Sequence, residues 1–174
     1  MLTNNEVDYL RGLSVFAGLP NGIVETIGAH ARRVDCEGGA ILLQEGEPAK
    51  DMLVVLSGTL AVYKRSTSGR FARIARLEPG SVVGEMSLID IQPRSAEVRA
   101  ECASSVAVLR HADLANIYRE DLKSYTLLLL NIAREISLRL RRLDKLVANL
   151  MCEIDAATSA HTEPHGTVEL LIRD

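Results

Sequence analysis

Tryptophan is absent, and aromatic residues together make up 3% of the 174 residues, with two Phe and four Tyr. That leaves little material for a platform on which nucleic-acid bases could stack. No charge of one sign predominates. Lys and Arg number 20 against 23 Asp and Glu, a formal net charge of −3, so no global attraction draws the chain to nucleic acid. Cysteine is scarce. Cys36, Cys102 and Cys152 lie far apart with no CxxC, which fits neither a disulfide framework nor a zinc site and reads as three reduced, mostly buried thiols. Long apolar runs are also missing: the longest, 52–56 and 127–130, fall far below the roughly 20 residues of a membrane span. Residues 1–6 lack the charged and apolar regions of a signal peptide. These absences predict a soluble, cytoplasmic protein with neither nucleic acid nor membrane as partner. Walker loops, GxSxG and paired hydrolytic carboxylates are lacking as well. The segment His161-Thr-Glu-Pro-His165 misplaces its Glu163 and sets Pro164 against the helix a zinc motif needs. The chain is therefore expected to be no enzyme and to hold no metal.

What is present is a strong change of texture along the chain. At roughly 100–200 residues per domain, the length predicts one domain with an appendage, large enough for its own core. Residues 4–30 read as two short helices, with Leu10, Leu13, Phe16 and Leu19 near helical spacing and Pro20 suited to the first turn of a helix over 20–29. From Arg32 to Arg110, short β-type runs alternate with glycines: 40–43, 52–56, 59–63, 72–77, 81–83, 96–100 and 105–109. Strands this short, with no room for helices between them, predict an antiparallel sandwich or barrel. Ser66-Thr-Ser-Gly69 reads as a hairpin loop. Helical texture returns at 113–118 and then over about 121–151, uninterrupted by Gly or Pro. In that long helix Leu129, Ile132, Ile136, Arg139, Leu143, Leu146 and Leu150 form a heptad seam with one Arg in it. A second row, Leu130, Ala133, Leu140, Val147 and Met151, widens the stripe, so that one row can pack on the β domain while the other meets a partner. Residues 152–174 read as a mobile tail, in which Val168 to Ile172 has the composition of a short strand. The basic cluster Arg134, Arg139, Arg141, Arg142 and Lys145 reads as a solvated face, with Glu135 and Asp144 interspersed.

The chemistry concentrates in Gly84-Glu-Met-Ser-Leu-Ile-Asp-Ile-Gln-Pro-Arg-Ser-Ala96. A glycine before a short helical turn lets backbone approach a ligand closely. Backbone N–H groups in that turn suit an anion. Arg94 presents a planar fork that matches phosphate oxygens, and in an apolar pocket such a cation calls for an anion beside it. Pro93 fixes the approach to Arg94, Ser95 adds a hydroxyl, Ala96 stays small, and Glu85 can accept from a vicinal hydroxyl. The set suits a small ligand with one phosphate and a ribose 2′-OH.

This segment resembles the phosphate-binding cassette of cyclic-nucleotide-binding domains, the family of the catabolite activator protein, the kinase regulatory subunits and nucleotide-gated channels. The resemblance spans about residues 12–150 and includes Gly39, Gly46, Gly58, Gly80 and Gly84, the Gly-Glu, Pro-Arg and Ser-Ala pairs, and the order helix, β-roll, helix. It implies an α+β fold: an antiparallel double-stranded β-helix (β-roll or jelly roll) flanked by N-terminal helices and a long C-terminal helix, with the domain over 1–151. It implies that Arg94 pairs with the cyclic phosphate and that Glu85 accepts from the ribose. Gly84, Ser87, Ser95 and Ala96 would line the phosphate loop. Val62, Ile74, Leu77, Val83 and Met86 would wall the pocket, and Arg142, Leu143 or Asp144 of the long helix would meet the base. Family members that prefer guanine often carry Thr after the cassette Arg. With Ser95 in that place, cyclic AMP is the expected ligand, before cyclic GMP.

The resemblance thus implies a cyclic nucleotide receptor whose C-terminal helix repacks on binding. The helix would form a homodimer or dock an unidentified protein effector. Two other settings are open: the sensor half of a CRP/FNR-type transcription regulator cut before its DNA-binding domain, or a regulatory module of a channel or enzyme. The first needs a helix-turn-helix after the long helix, for which 152–174 is short and carries Pro164 and Gly166.

Overall fold

The run 52–56 is apolar at every position because the strand that contains it is buried on both faces. In the computed structural model, which describes residues 1–90 and 92–160, Leu53 and Val55 face one hydrophobic cluster while Met52 and Val54 face another. Eight strands form two four-stranded antiparallel sheets. They are β1 (Arg32–Cys36), β2 (Ile41–Leu43), β3 (Asp51–Ser57), β4 (Leu60–Arg65), β5 (Phe71–Leu77), β6 (Val82–Val83), β7 (Glu97–Ala100) and β8 (Ser104–Arg110). The orders are β1-β8-β3-β6 and β2-β7-β4-β5. Leu43, Leu60, Val62, Leu77 and Val98 of the second sheet close on Leu53, Val55, Val83, Val106 and Val108 of the first. The second sheet turns its other face outward, with Arg65, Phe71, Arg73 and Arg76 exposed. Strand β1 is absent from the seven β-type runs read from sequence: Arg32, Arg33 and Asp35 leave it no apolar signature, and pairing with β8 from Arg32↔Val108 to Cys36↔Ser104 defines it.

Helices cover the outer face of the first sheet. Helix α1 (Asn4–Arg11) starts with a capping box, in which Thr3 Oγ1 accepts from the Glu6 N–H and the Glu6 carboxylate accepts from the Thr3 N–H. A 3-10 turn (Ser14–Phe16) and α2 (Asn21–His30) follow, with Pro20 at the N-cap of α2. Helix α3 (Ser87–Asp90) interrupts the roll, and α4 (His111–Glu120) leaves it. Leu10, Phe16, Val24, Ile27, Leu114, Ile117, Leu128 and Ile132 join Met52, Val54, Ala107 and Leu109 in this outer core. Buried Asn131 donates to the Val15 and Ala17 carbonyls, which ties the first half of the last helix to the 3-10 turn.

That last helix, α5 (Leu122–Ala160), runs past Met151. The boundary expected near 151 fails because Cys152-Glu-Ile-Asp-Ala-Ala-Thr-Ser-Ala160 contains no breaker and carries three alanines, the best helix formers. The rest of the expected tail, with the strand at Val168 to Ile172, lies outside the described residues. The chain divides into two compact units, Met1–Ile136 and Ser137–Asp174. In the first, Leu128 and Ile132 are buried and Ile136 packs beside them, so the start of the expected partner seam is spent on the outer core. In the second, Leu140, Leu143, Leu146, Val147, Leu150, Met151 and Ile154 are all exposed. Two of the three thiols expected to be buried, Cys102 and Cys152, are exposed as well.

The turn between β3 and β4 shows how much one glycine decides. Gly58 has φ +78°, and a Cβ there would lie 2.2 Å from Ser104 Oγ and 2.6 Å from the Ala103 carbonyl oxygen. Gly58→Ala should therefore destabilise the fold by about 2–4 kcal/mol, from left-handed strain and overpacking together. Urea unfolding checks it; an unchanged midpoint would contradict the packing described.

Candidate functional site

The candidate site forms where β3 begins, β6 ends and the chain returns to β7. Leu53 and Val54 pair with Val83 and Val82, which brings the start of β3 beside Gly84. Gly84 has φ +81°, and a Cβ there would stand 2.6 Å from Arg94 Nη1 and 3.1 Å from the Asp51 carbonyl oxygen. Only glycine leaves that space for the guanidinium. Arg94 is fixed at its backbone: its N–H donates to the Glu47 carbonyl and its carbonyl accepts from the Gly46 N–H, both at 2.9 Å. Its side chain, 7% exposed, donates from Nη1 to the Gly84 carbonyl at 3.3 Å and pairs through Nη2 with Asp51.

The cation is therefore not uncompensated. The anion expected beside Arg94 on energetic grounds is supplied within the chain by Asp51, whose side chain is 30% exposed and so reaches solvent. Sequence reasoning missed Asp51, because a lone acidic residue before an apolar strand reads as loop polarity.

Glu85 is 2% exposed and Ser87 is buried at the start of α3. Ser87 Oγ donates to the Gly84 carbonyl at 2.8 Å and lies 3.3 Å from His111 Nε2. Burial first, and then the Arg94 guanidinium, hold the His111 ring below its ordinary range, while Asp51 opposes them. His111, 17 positions beyond Arg94 and at the head of another helix, carried no sequence signal that linked it to the cassette. Ser95 is exposed, and its carbonyl accepts from Lys64 Nζ, which also pairs with Glu45 at 2.7 Å. Ala96 packs against the inner cluster.

Of the expected pocket walls, Val62, Leu77 and Val83 are buried together between the sheets. Ile74 is not among them. The register passes from Val62↔Ala75 to Tyr63↔Arg73, which leaves Ile74 as the extra residue of a β-bulge, 50% exposed, with Ala75 facing inward. Met86 is 45% exposed and belongs to neither cluster. Arg142, Leu143 and Asp144 are exposed residues of the second unit. Among the described residues, no group of three or more His, Cys, Asp or Glu could hold a metal ion, and no helix is long and apolar enough to cross a membrane.

The stretch of chain that builds this roll matches a known family model. The model is "Cyclic nucleotide-binding domain", and it matches residues 33–121. The chain belongs to this family. It is 31% identical over 137 residues to the Cyclic AMP receptor protein of Thermus thermophilus, covering 78% of this chain and 61% of that protein. The chain thus spans less than two thirds of the length of the curated relatives it matches. A cyclic nucleotide-binding domain from Methylobacillus flagellatus superimposes with a TM-score of 0.73 at 25% identity, covering 82% of this chain and 81% of that one. The N-terminal domain of a transcriptional regulator from Streptomyces coelicolor does so with a TM-score of 0.66 at 30% identity, covering 79% of this chain and 96% of that one. The cyclic-nucleotide-binding family fold and the antiparallel roll with its long C-terminal helix are therefore as expected from the sequence.

Proposed function

We propose that this cyclic-nucleotide-binding domain is a non-enzymatic receptor for cyclic AMP, with cyclic GMP as the weaker ligand. The observation that carries the reading is the placement of Arg94: a buried guanidinium, fixed at its backbone, facing a carboxylate that reaches solvent beside Gly84, Glu85 and Ser87. A cyclic phosphate carries one negative charge shared by its two exocyclic oxygens, and the guanidinium fork can exchange Asp51 for it without moving its backbone. Glu85 then accepts from the ribose 2′-OH, and Ser95 and Ala96 complete the loop. Val62, Leu77 and Val83 form the apolar wall behind it.

The signal leaves through α5. The ligand favours one packing of that helix through its differential contacts with Arg142, Leu143 or Asp144, and so shifts the population. The exposed apolar row of the second unit serves as a dimer seam, with a second copy as its occupant. The name of the Thermus thermophilus relative, a cyclic AMP receptor protein, supports the choice of nucleotide. A second reading has one observation behind it: the match covers 96% of the N-terminal domain of the Streptomyces coelicolor transcriptional regulator, which suits the ligand-binding part of a transcription regulator. The native reading frame around these residues separates the two.

Displacement of a fluorescent cyclic AMP analogue by cyclic AMP and cyclic GMP, run in parallel, tests the ligand. Cyclic AMP should displace at the lower concentration. Reversed ranking would overturn the choice of base, and displacement by neither would overturn the receptor itself.

A further inference from the structure

His111 lies outside the cassette, yet it is wired to it. Ser87 has one hydroxyl proton, and that proton is spent on the Gly84 carbonyl at 2.8 Å. The 3.3 Å contact between Ser87 Oγ and His111 Nε2 is therefore a bond in which Nε2–H donates. The Gly84 carbonyl that receives the Ser87 proton also receives Arg94 Nη1 at 3.3 Å. The main-chain N–H of His111 donates to the Lys50 carbonyl, one residue before Asp51. His111 is thus tied to both ends of the Arg94–Asp51 pair: its ring through Ser87 and Gly84, its main chain through the start of β3.

We propose that His111 is a proton-sensitive positioning residue of the cassette, which keeps the Gly84–Ser87 turn in register with Arg94 and strengthens the hold on a cyclic phosphate when the ring is protonated. This rests on the reading of the cassette as a cyclic phosphate site. Nε2–H is present in the tautomer the geometry requires and in the imidazolium alike, so protonation at Nδ1 leaves the bond to Ser87 intact and adds only charge.

The charged groups that act on the ring are Arg94 from the cassette, which opposes its protonation, and Asp51 from β3, which favours it. On α4 itself, Asp113 is tied to Arg110 by bonds of 2.7 and 2.8 Å. From α2, which packs on α4, His30 Nδ1 bonds the Thr26 carbonyl. In the ligand-free protein burial and the Arg94 guanidinium disfavour the protonated ring. A phosphate anion arriving at Arg94 adds negative charge beside it and favours the protonated form. Linkage then fixes the sign: affinity rises as pH falls through the ring's titration range, and is flat above it.

Two measurements test this together. Titration calorimetry of cyclic AMP between pH 8 and pH 5.5 should show the dissociation constant of the unmodified chain falling at least threefold. In His111→Gln, which keeps an N–H donor and cannot titrate, the same span should change it less than twofold. Equal pH profiles would overturn the proposal while leaving the receptor reading intact. NMR titration of the ligand-free protein needs no nucleotide. The His111 ring should titrate below its ordinary range, move upward in Arg94→Gln and move further downward in Asp51→Asn. A ring that titrates alike in all three would overturn the proposal even if cyclic AMP did not bind.

Discussion

Arg94→Leu should weaken cyclic AMP binding by about a hundredfold, and by tenfold at the least. Truncating one partner of a buried, hydrogen-bonded charge pair costs about 2–5 kcal/mol, and each ~1.4 kcal/mol is a factor of ten. Two effects act in the same direction here. Leucine removes the donors that face the phosphate, and it leaves Asp51 with no cation between it and the incoming anion. The fold should survive. The backbone bonds of residue 94 to Gly46 and Glu47 do not involve the side chain, and Asp51, 30% exposed, can be solvated. Calorimetric titration beside circular dichroism checks both halves. An affinity within threefold of the unmodified chain, on an intact fold, would remove Arg94 from the site.

Replacing Leu143 and Leu150 together with Glu should separate the proposed dimer into monomers. Within the second unit, Leu140, Leu143, Val147, Leu150 and Ile154 are 57, 44, 57, 56 and 57% exposed in the single chain. Their spacing of 3, 4, 3, 4 is that of a coiled-coil seam, and unlike the row read from sequence it does not pass through Arg139. β-branched Val147 and Ile154 alternate with Leu143 and Leu150, the pattern that favours two parallel strands. Carboxylates at both Leu positions would meet their own copies in a desolvated seam and separate the strands. Sedimentation velocity reads the result directly. A profile unaltered by the double substitution would show that this row is not the seam.

Both variants touch residues that were visible in the sequence, for different reasons. Arg94 stood out because Gly84, Glu85, Pro93, Ser95 and Ala96 surround it in an order that few other arrangements use. Leu143 and Leu150 stood out by period alone, and period cannot tell which of two neighbouring rows is spent inside. Burial of Leu128 and Ile132 settles that for the first half of α5. Strand β1 was illegible because its identity comes from β8 rather than from its own side chains. The family resemblance puts Ile74 on the pocket wall, and the one-residue bulge that turns it outward leaves no mark in composition. The small, polar residues after Met151 suggest an early helix end, but the absence of Gly and Pro through Ala160 is the better signal. Asp51 and His111 were invisible for a further reason. Each reaches the cassette only through the folding of distant segments onto one turn, so no spacing in the chain relates them to Arg94.

The central claim is that the turn around Gly84 and Arg94 takes a cyclic nucleotide. Isothermal titration of the unmodified chain with cyclic AMP tests it most directly. Saturable heat with one nucleotide bound per chain is the predicted result. No saturable heat up to millimolar nucleotide, in buffers of different ionisation enthalpy, would contradict it.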